Sequence, residues 1–435
     1  MSDLVPEGWR AAKFVDVFDN YKYGPRFSSK DYADNGNVRT IRGTDVSTSG
    51  EIQYAQVLIA TIKQDVVDAH SLKQNDLVMI TTADCGATAV FNKQNIPYIA
   101  SAYAIKLTPT KKIESKYILY FMQTPEAKRQ VDSLVRKGTV ANLPGSDVMN
   151  LRFMCPPLPE QQKIAAILSS VDEVIEKTQA QINKLKDLKT GMMQELLSPR
   201  EGQAANINNP QGESKNSLHH TEFKDSPLGR IPVGWDVVRF NDVLEKIDSG
   251  WSPSCIEIPP SSGEWGVLKV SAVTRGKFLE GQSKTLPDNL EPRANIRVRA
   301  GDILLTRANG VADLVGKCVM INQEPKSKLM MSDKILRLTP NSLIFDEFLL
   351  HTFNSQVTRR QIELSWGGSS GQKNIGQADI KNYRLALPSY EEQKVIARSI
   401  SQVDYLLHER SKKRDSLNHL KKALMQDLLT GKVRI

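Results

Sequence analysis

Four groups of residues have types that could do chemistry. Gly310-Val311-Ala312-Asp313-Leu314-Val315-Gly316-Lys317-Cys318 imitates a phosphate-binding loop. In such a loop, glycines bring backbone N–H groups to the phosphates, a lysine reaches the terminal ones, and a hydroxyl holds magnesium. Here five residues separate the glycines where the loop has four, and Cys318 stands where the hydroxyl belongs. The stretch reads as a strand and turn. Asp288, Glu324 and Lys326 are the types a metal-dependent nuclease gathers, but Glu324 follows Asp288 by 36 positions and the first half has no equivalent. Cys155-Pro156-Pro157-Leu158 and Ile258-Pro259-Pro260-Ser261 keep only the prolines of the motif that holds an amine for DNA methylation. The six histidines, His70, His219, His220, His351, His408 and His419, show no metal-ligand spacing. The chain is therefore expected to carry no catalytic centre and no metal of its own.

Elements able to position a site must come from 435 residues with 25% charged and 40% apolar content, the balance of an ordinary globular protein of two to three domains. No apolar run approaches the length of a membrane span. The start, MSDLVPEGWR, is acidic and lacks the apolar core of a secretory leader. Cys85, Cys155, Cys255 and Cys318 are scattered, which fits a reducing cytoplasm better than a disulfide framework or zinc site. The net charge of +9 distributes as +3 over 1–159, zero over 160–200, −1 over 201–230, +3 over 231–390 and +4 over 391–435. A mild basic excess on two similar blocks is compatible with nucleic acid without requiring it.

The chain repeats itself. Pro6-Glu7-Gly8-Trp9 recurs as Pro232-Val233-Gly234-Trp235, and Asp76-Leu77-Val78-Met79 as Asp302-Ile303-Leu304-Leu305. Leu107-Thr108-Pro109 recurs as Leu338-Thr339-Pro340, and Asn142-Leu143 with Asp147-Val148 as Asn374-Ile375 with Asp379-Ile380. From Glu160 to Ser198 the match to Glu392–Thr430 has no gap and 14 identities in 39 positions. The offset drifts from 226 to 232, so the copies share a fold with small loop changes.

Each front part reads as mixed α/β. Short apolar runs at Asp76–Ile80, Ala102–Leu107, Ile303–Leu305 and Lys334–Leu338 predict strands. Ser115–Met122 and Asp346–Phe353 predict helices, and Pro156-Pro157 and Pro388 close the front parts. Each rear part predicts one long helix. Ile164, Leu168, Val171, Ile175, Thr178, Ile182, Leu185, Lys189, Met192 and Leu196 alternate steps of four and three. So do Ile396, Ile400, Val403, Leu407, Arg410, Arg414, Leu417, Lys421, Leu424 and Leu428. This is a heptad seam, on helices roughly 57 Å long at the α-helical rise. Each helix needs a partner for its narrow stripe, and the other copy is the one of matching length; the alternative is a helix packed on its own globular domain. Lys189 and Lys421 take the same seam position, where they fix register, meet a carboxylate on another protein, or reach DNA. The expected boundaries are a first domain over 1–158, a helix over 159–198, a flexible linker over 199–230, a second domain over 231–390, and a helix with tail over 391–435.

Two variable halves, each opening with P-x-G-W and closing with Asn-[Leu/Ile]-x3-Asp-[Val/Ile], a proline turn and Glu-Gln before a long helix, resemble the specificity subunit of type I restriction-modification systems. The Glu-Gln pairs are Glu160-Gln161 and Glu392-Gln393, and Leu428-Leu429-Thr430-Gly431-Lys432-Val433 also looks like that family. The resemblance covers the whole chain. It implies an α/β (α+β) fold: a tandem pseudo-symmetric repeat of two target recognition domains, each followed by a long helix, the helices pairing as an antiparallel coiled coil. It implies a non-catalytic subunit whose domains each read one half of an asymmetric bipartite site in double-stranded DNA. Two methylation subunits would supply S-adenosylmethionine and adenine-N6 chemistry, and restriction subunits ATP- and Mg2+-dependent cleavage; this chain itself would bind no cofactor. The alternatives are a stand-alone DNA-binding or scaffold protein, and a nuclease or methyltransferase with its own centre.

A DNA reader needs cations for phosphates and forked or amide side chains for base edges. Candidates fall at matching places in the two halves: Lys22, Tyr23 and Arg26 with Trp251 and Ser252; Arg42 with Lys269; Thr81 and Thr82 with Arg307 and Asn309; Arg136 and Lys137 with Gln372 and Lys373. Ile164, Leu168, Val171, Ile175, Ile182, Leu185, Ile396, Ile400, Val403, Leu407, Leu417 and Leu424 are the candidates for helix pairing and partner docking.

Overall fold

In the computed structural model, residues 6–47, 49–197, 220–367 and 373–435 are described. The chain divides into two compact units, Met1–Gln179 with Lys412–Ile435, and Ala180–Ser411. Both units are built on one plan.

In the first unit a four-stranded antiparallel sheet has the order Phe18–Tyr23, Ala104–Pro109, Leu77–Ile80, Thr88–Val90. A three-stranded sheet has the order Leu58–Ala60, Val38–Ile41, Tyr98–Ala100, the last pair parallel. The central strand Leu77–Ile80 is buried throughout because both its faces are covered. Leu77 and Met79 pack toward the helices Ser115–Met122 and Pro125–Leu134, while Val78 and Ile80 pack toward Ile41, Phe91 and Tyr98. Helix Pro125–Leu134 starts sharply because Thr124 Oγ1 accepts the Ala127 N–H and proline occupies the first turn.

The second unit repeats this. Leu244–Ser249, Ile335–Pro340, Ile303–Thr306 and Cys318–Met320 form the four-stranded sheet. Ser283–Thr285, Trp265–Leu268 and Lys328–Met330 form the three-stranded one, again with one parallel pair. Even the irregularity of the edge strand recurs, between Phe18 and Tyr21 and between Leu244 and Lys246. A short pair joins the start of each domain to its end: Arg10–Lys13 with Arg152–Cys155, and Asp236–Arg239 with Arg384–Leu387.

Two helices of 40 residues follow, Leu158–Leu197 and Tyr390–Leu429. Each begins in the unit of the domain it follows and ends in the other unit. In the first unit, Ile164 and Leu168 share a core with Met425, Leu428 and Leu429. In the second, Ile396, Ala397 and Ile400 share one with Leu196 and Leu197. The helix segments run antiparallel in the first unit: Lys421 bonds Asp172, and seven residues earlier Arg414 bonds Gln179, seven after Asp172. The seam residues named from the heptad pattern are buried or half-buried, Ile164, Leu168, Thr178, Ile182, Leu196, Ile396, Ile400, Val403 and Leu428 most completely.

Most of the linker expected at 199–230 falls outside the described residues, but its end belongs to the second unit. Phe223–Lys224 pairs with Ile231–Pro232, and His220 Nε2 lies 2.7 Å from Glu392 Oε1.

Candidate nucleic-acid interface

The repeated motifs hold the frame on which the loops sit. Trp9 Nε1 donates to Glu160 Oε2 at 3.0 Å, and Trp235 Nε1 to Glu392 Oε1 at 2.9 Å. Gln161 donates to Pro156 O and accepts the Glu114 N–H; Gln393 donates to Pro388 O and accepts the Phe345 N–H. Tryptophan, glutamate and glutamine thus lock each domain's start and helix to the first turns of a long helix. The stretches that imitated catalytic motifs have structural tasks too. Cys318 is buried within a strand, and burial pushes its thiol up. Glu324 bonds Arg297 at 3.0 Å. Among the described residues, no group of three or more His, Cys, Asp or Glu could hold a metal ion.

Three candidate segments meet in the first domain. The chain leaves the edge strand at Gly24, whose N–H donates to Ala104 O. A Cβ there would lie 1.8 Å from Ala100 O, so only glycine allows the crossing. Tyr23 Oη accepts the Gly145 N–H at 2.8 Å, which ties this crossing to the loop after Asn142. Beyond the central strand, Thr81 is buried and donates from N and Oγ1 to Tyr103 O at 2.9 and 3.0 Å. Thr82 bridges Asn142, Arg136 and Asn142 exchange backbone hydrogen bonds, and Leu143 N donates to Thr81 O at 2.7 Å.

The second domain reproduces the arrangement. Gly250 crosses Met331 O, which a Cβ would approach to 2.3 Å. Arg307 N donates to Lys334 O at 3.0 Å, and Ile375 N to Arg307 O at 2.9 Å. Asn309 pairs with Lys373, Ala308 with Asn374, and Gly367 bridges Asn374. Gln377 Nε2 reaches Ser249 Oγ at 2.8 Å, where the first domain uses Gly145 and Tyr23. Gln372 lies outside the described residues.

The candidate side chains differ in how committed they are. Arg26, Lys137, Arg307 and Lys373 make no side-chain hydrogen bond or ion pair with another described residue, and Arg26 and Lys137 are exposed. Arg136 is 72% exposed, 3.6 Å from Asp147. Lys22 Nζ donates to Ala69 O at 2.7 Å. Asn309 Oδ1 accepts the Val311 N–H. Arg42 and Lys269 each precede a short 3-10 turn. Arg42 forks onto buried Asp45 at 3.0 and 3.1 Å, a bond that raises its pKa, and Lys269 meets Glu257 at 3.2 Å. Their charges are already countered. Trp251 carries the Arg293 guanidinium over its ring at 4.1 Å, and Ser252 donates to Asp333.

Two positions escaped the sequence reading. Tyr103 is 65% exposed although its backbone is held at the middle of the first cluster, and exposed Lys334 takes its place in the second. The recurrence of Leu-Thr-Pro at an offset of 231 aligns the two and is the signal by which they were findable.

Residues 6–187 and 232–418 match the family described as type I restriction modification DNA specificity domain. The chain belongs to this family. A specificity subunit named for a putative type I restriction enzyme of Methanocaldococcus jannaschii is 26% identical, with 99% of this chain and 95% of the relative aligned. That of the EcoKI enzyme of Escherichia coli is 24% identical over 92% and 82%. Among solved structures, a type I restriction-modification S subunit from M. genitalium has the same fold: TM-score 0.61, 14% identity, 98% of each chain covered. The tandem repeat with a long helix after each domain, expected from the sequence, is the architecture of this family member. Among the described residues no helix is long and apolar enough to cross a membrane.

Proposed function

We propose that this chain reads DNA for a type I restriction-modification complex and takes its chemistry from partner subunits. Each domain recognises one half of a bipartite site in double-stranded DNA, and the helices hold the spacing between halves. The observation that carries this is the loop cluster built twice on one backbone plan with different side chains. The first presents exposed Arg26, Arg136 and Lys137; the second presents half-buried Arg307, Asn309 and Lys373. A shared scaffold with divergent contact residues is what an asymmetric two-part target requires. Cations position the duplex through phosphates, and Arg307 and Asn309 have the forked and amide geometry that base edges reward.

In this reading two methylation subunits bring S-adenosylmethionine for adenine-N6 methylation, and restriction subunits bring ATP- and Mg2+-dependent cleavage, in the cytoplasm. The test is to purify the chain with its methylation subunits and select from a duplex library randomised over two windows with variable spacing. Enrichment of two defined windows at one spacing is the expected result. No enrichment, or methylation or cleavage by the isolated chain, would overturn the proposal.

A further inference from the structure

Tyr103 combines a fixed backbone with a free side chain. Its carbonyl accepts two bonds from Thr81, and its N–H lies 3.4 Å from Ser101 Oγ. Next to it, Ala104 N donates to Ser101 O, and Ala104 O accepts the Gly24 N–H. Two segments of the first cluster, at Gly24 and Thr81, therefore bond to residues 101–104, and the third, after Asn142, bonds to Thr81. The ring nevertheless stays 65% exposed. Lys334 repeats the pattern: Arg307 N holds its carbonyl, Ile335 N donates to Ser332 O, and Asp333 N donates to Ser252 Oγ. Its ammonium has no partner among the described residues.

A rigid backbone lowers the ordering cost of a contact, most for tyrosine with its two side-chain torsions and less for lysine, whose longer side chain still loses rotamer freedom. The two residues offer different chemistry at one structural position. A tyrosine ring packs on a thymine methyl and its hydroxyl bonds a base edge, whereas a lysine donates to guanine N7 and O6. We infer that position 103 in the first domain and position 334 in the second are equivalent base-reading positions, and that the exchange of Tyr103 for Lys334 sets part of the difference between the two half-sites. The inference rests on the DNA-reading function proposed above.

The experiment compares the full chain in complex with its methylation subunits, as wild type, Tyr103→Ala, Tyr103→Phe and Lys334→Ala, on a duplex library randomised in both half-sites. Tyr103→Ala is expected to weaken the preferred site about tenfold, the scale of one base contact. It should flatten preference at one or two adjacent positions of one half-site. Tyr103→Phe should keep the contribution of the ring and lose that of the hydroxyl. Lys334→Ala should lose a guanine preference in the other half-site only. Both side chains are exposed, so the complexes should assemble with unchanged melting temperature. Assembled variants with affinity and base preferences within twofold of wild type would overturn the inference. So would a uniform loss of affinity with preferences unchanged, the signature of a phosphate contact. A wild-type complex without sequence preference would instead overturn the function on which the inference rests.

Discussion

Lys189 Nζ lies 2.6 and 2.7 Å from the two carboxylate oxygens of Asp404. One repeat away, Lys421 Nζ lies 2.7 Å from Asp172 Oδ1. Each pair joins the seam lysine of one long helix to an aspartate early in the other. Each lysine thus meets a carboxylate of this chain, a partner the sequence reading did not name, and of the roles open to it fixing register is the one this geometry serves. Each pair marks the register of the two helix segments within its own unit. Asp172 also accepts the Tyr120 hydroxyl at 2.9 Å, which ties the register to the first domain.

The register pair should show measurable coupling. Lys421 and Asp172 side chains are 12% and 27% exposed, so they are partly shielded from water. A double-mutant cycle of Lys421→Ala and Asp172→Ala, read by urea unfolding, should give a coupling of about 1–2 kcal/mol. Strictly additive losses would mean the pair contributes nothing to pairing.

Glu160 is 7% exposed and takes bonds from Trp9 and from Arg434 at 3.0 and 3.2 Å. Removing it leaves the indole N–H and the guanidinium without their acceptor. Glu160→Ala is therefore expected to cost about 1–3 kcal/mol in denaturant unfolding. Arg434→Ala should cost less, because the indole still satisfies the carboxylate. Equal losses would place the importance of the site in the tail and not in the tryptophan.

These contacts show what was legible beforehand. P-x-G-W and Glu-Gln were visible as repeats because the same bonds are made twice, and two identical tasks keep identical residues. Helices Ser115–Met122 and Asp346–Phe353 kept the bounds their sequence signals predict. The antiparallel pairing already implied that each helix would end beside the start of the other, with seam residue Leu428 in that contact. That Met425 and Leu429, outside the seam, also join the first unit's core was not legible, because an apolar residue off the seam does not say which domain covers it. Nor did Arg42 reveal itself as the partner of Asp45, since that choice depends on burial of the aspartate and not on the arginine.

Acidity should act on the first unit through Glu51. Its hydrogen bond with Glu176, followed by burial, raises its pKa to about 7, with Asp172 adding to and Lys421 opposing the shift. A carboxyl raised above its unfolded value of about 4.5 contributes stability that is full below that value and lost as pH rises through about 7. Glu51→Gln should therefore stabilise the protein relative to wild type at pH 8, with the gain shrinking toward pH 4.5. A difference independent of pH in thermal unfolding would contradict the shared proton.

His351 gives the second unit the opposite response. Burial first, and the charge of Lys189 second, lower its pKa to about 3, and its Nε2 lies 3.1 Å from Ser401 Oγ. A depressed pKa means its contribution is full above the unfolded value of 6.5 and falls as pH drops toward about 3. The stability of wild type relative to His351→Gln should decline across that window. A constant difference would show that the imidazole is not held neutral.

Exchanging residues 1–155 for the matching segment of another specificity subunit, then reading the methylated sites of the assembled complex across a genome, tests the central claim most directly. The account predicts that one half-site changes to that of the donor while the other half-site and the spacing stay as they were. A change in both half-sites, or in neither, would contradict it.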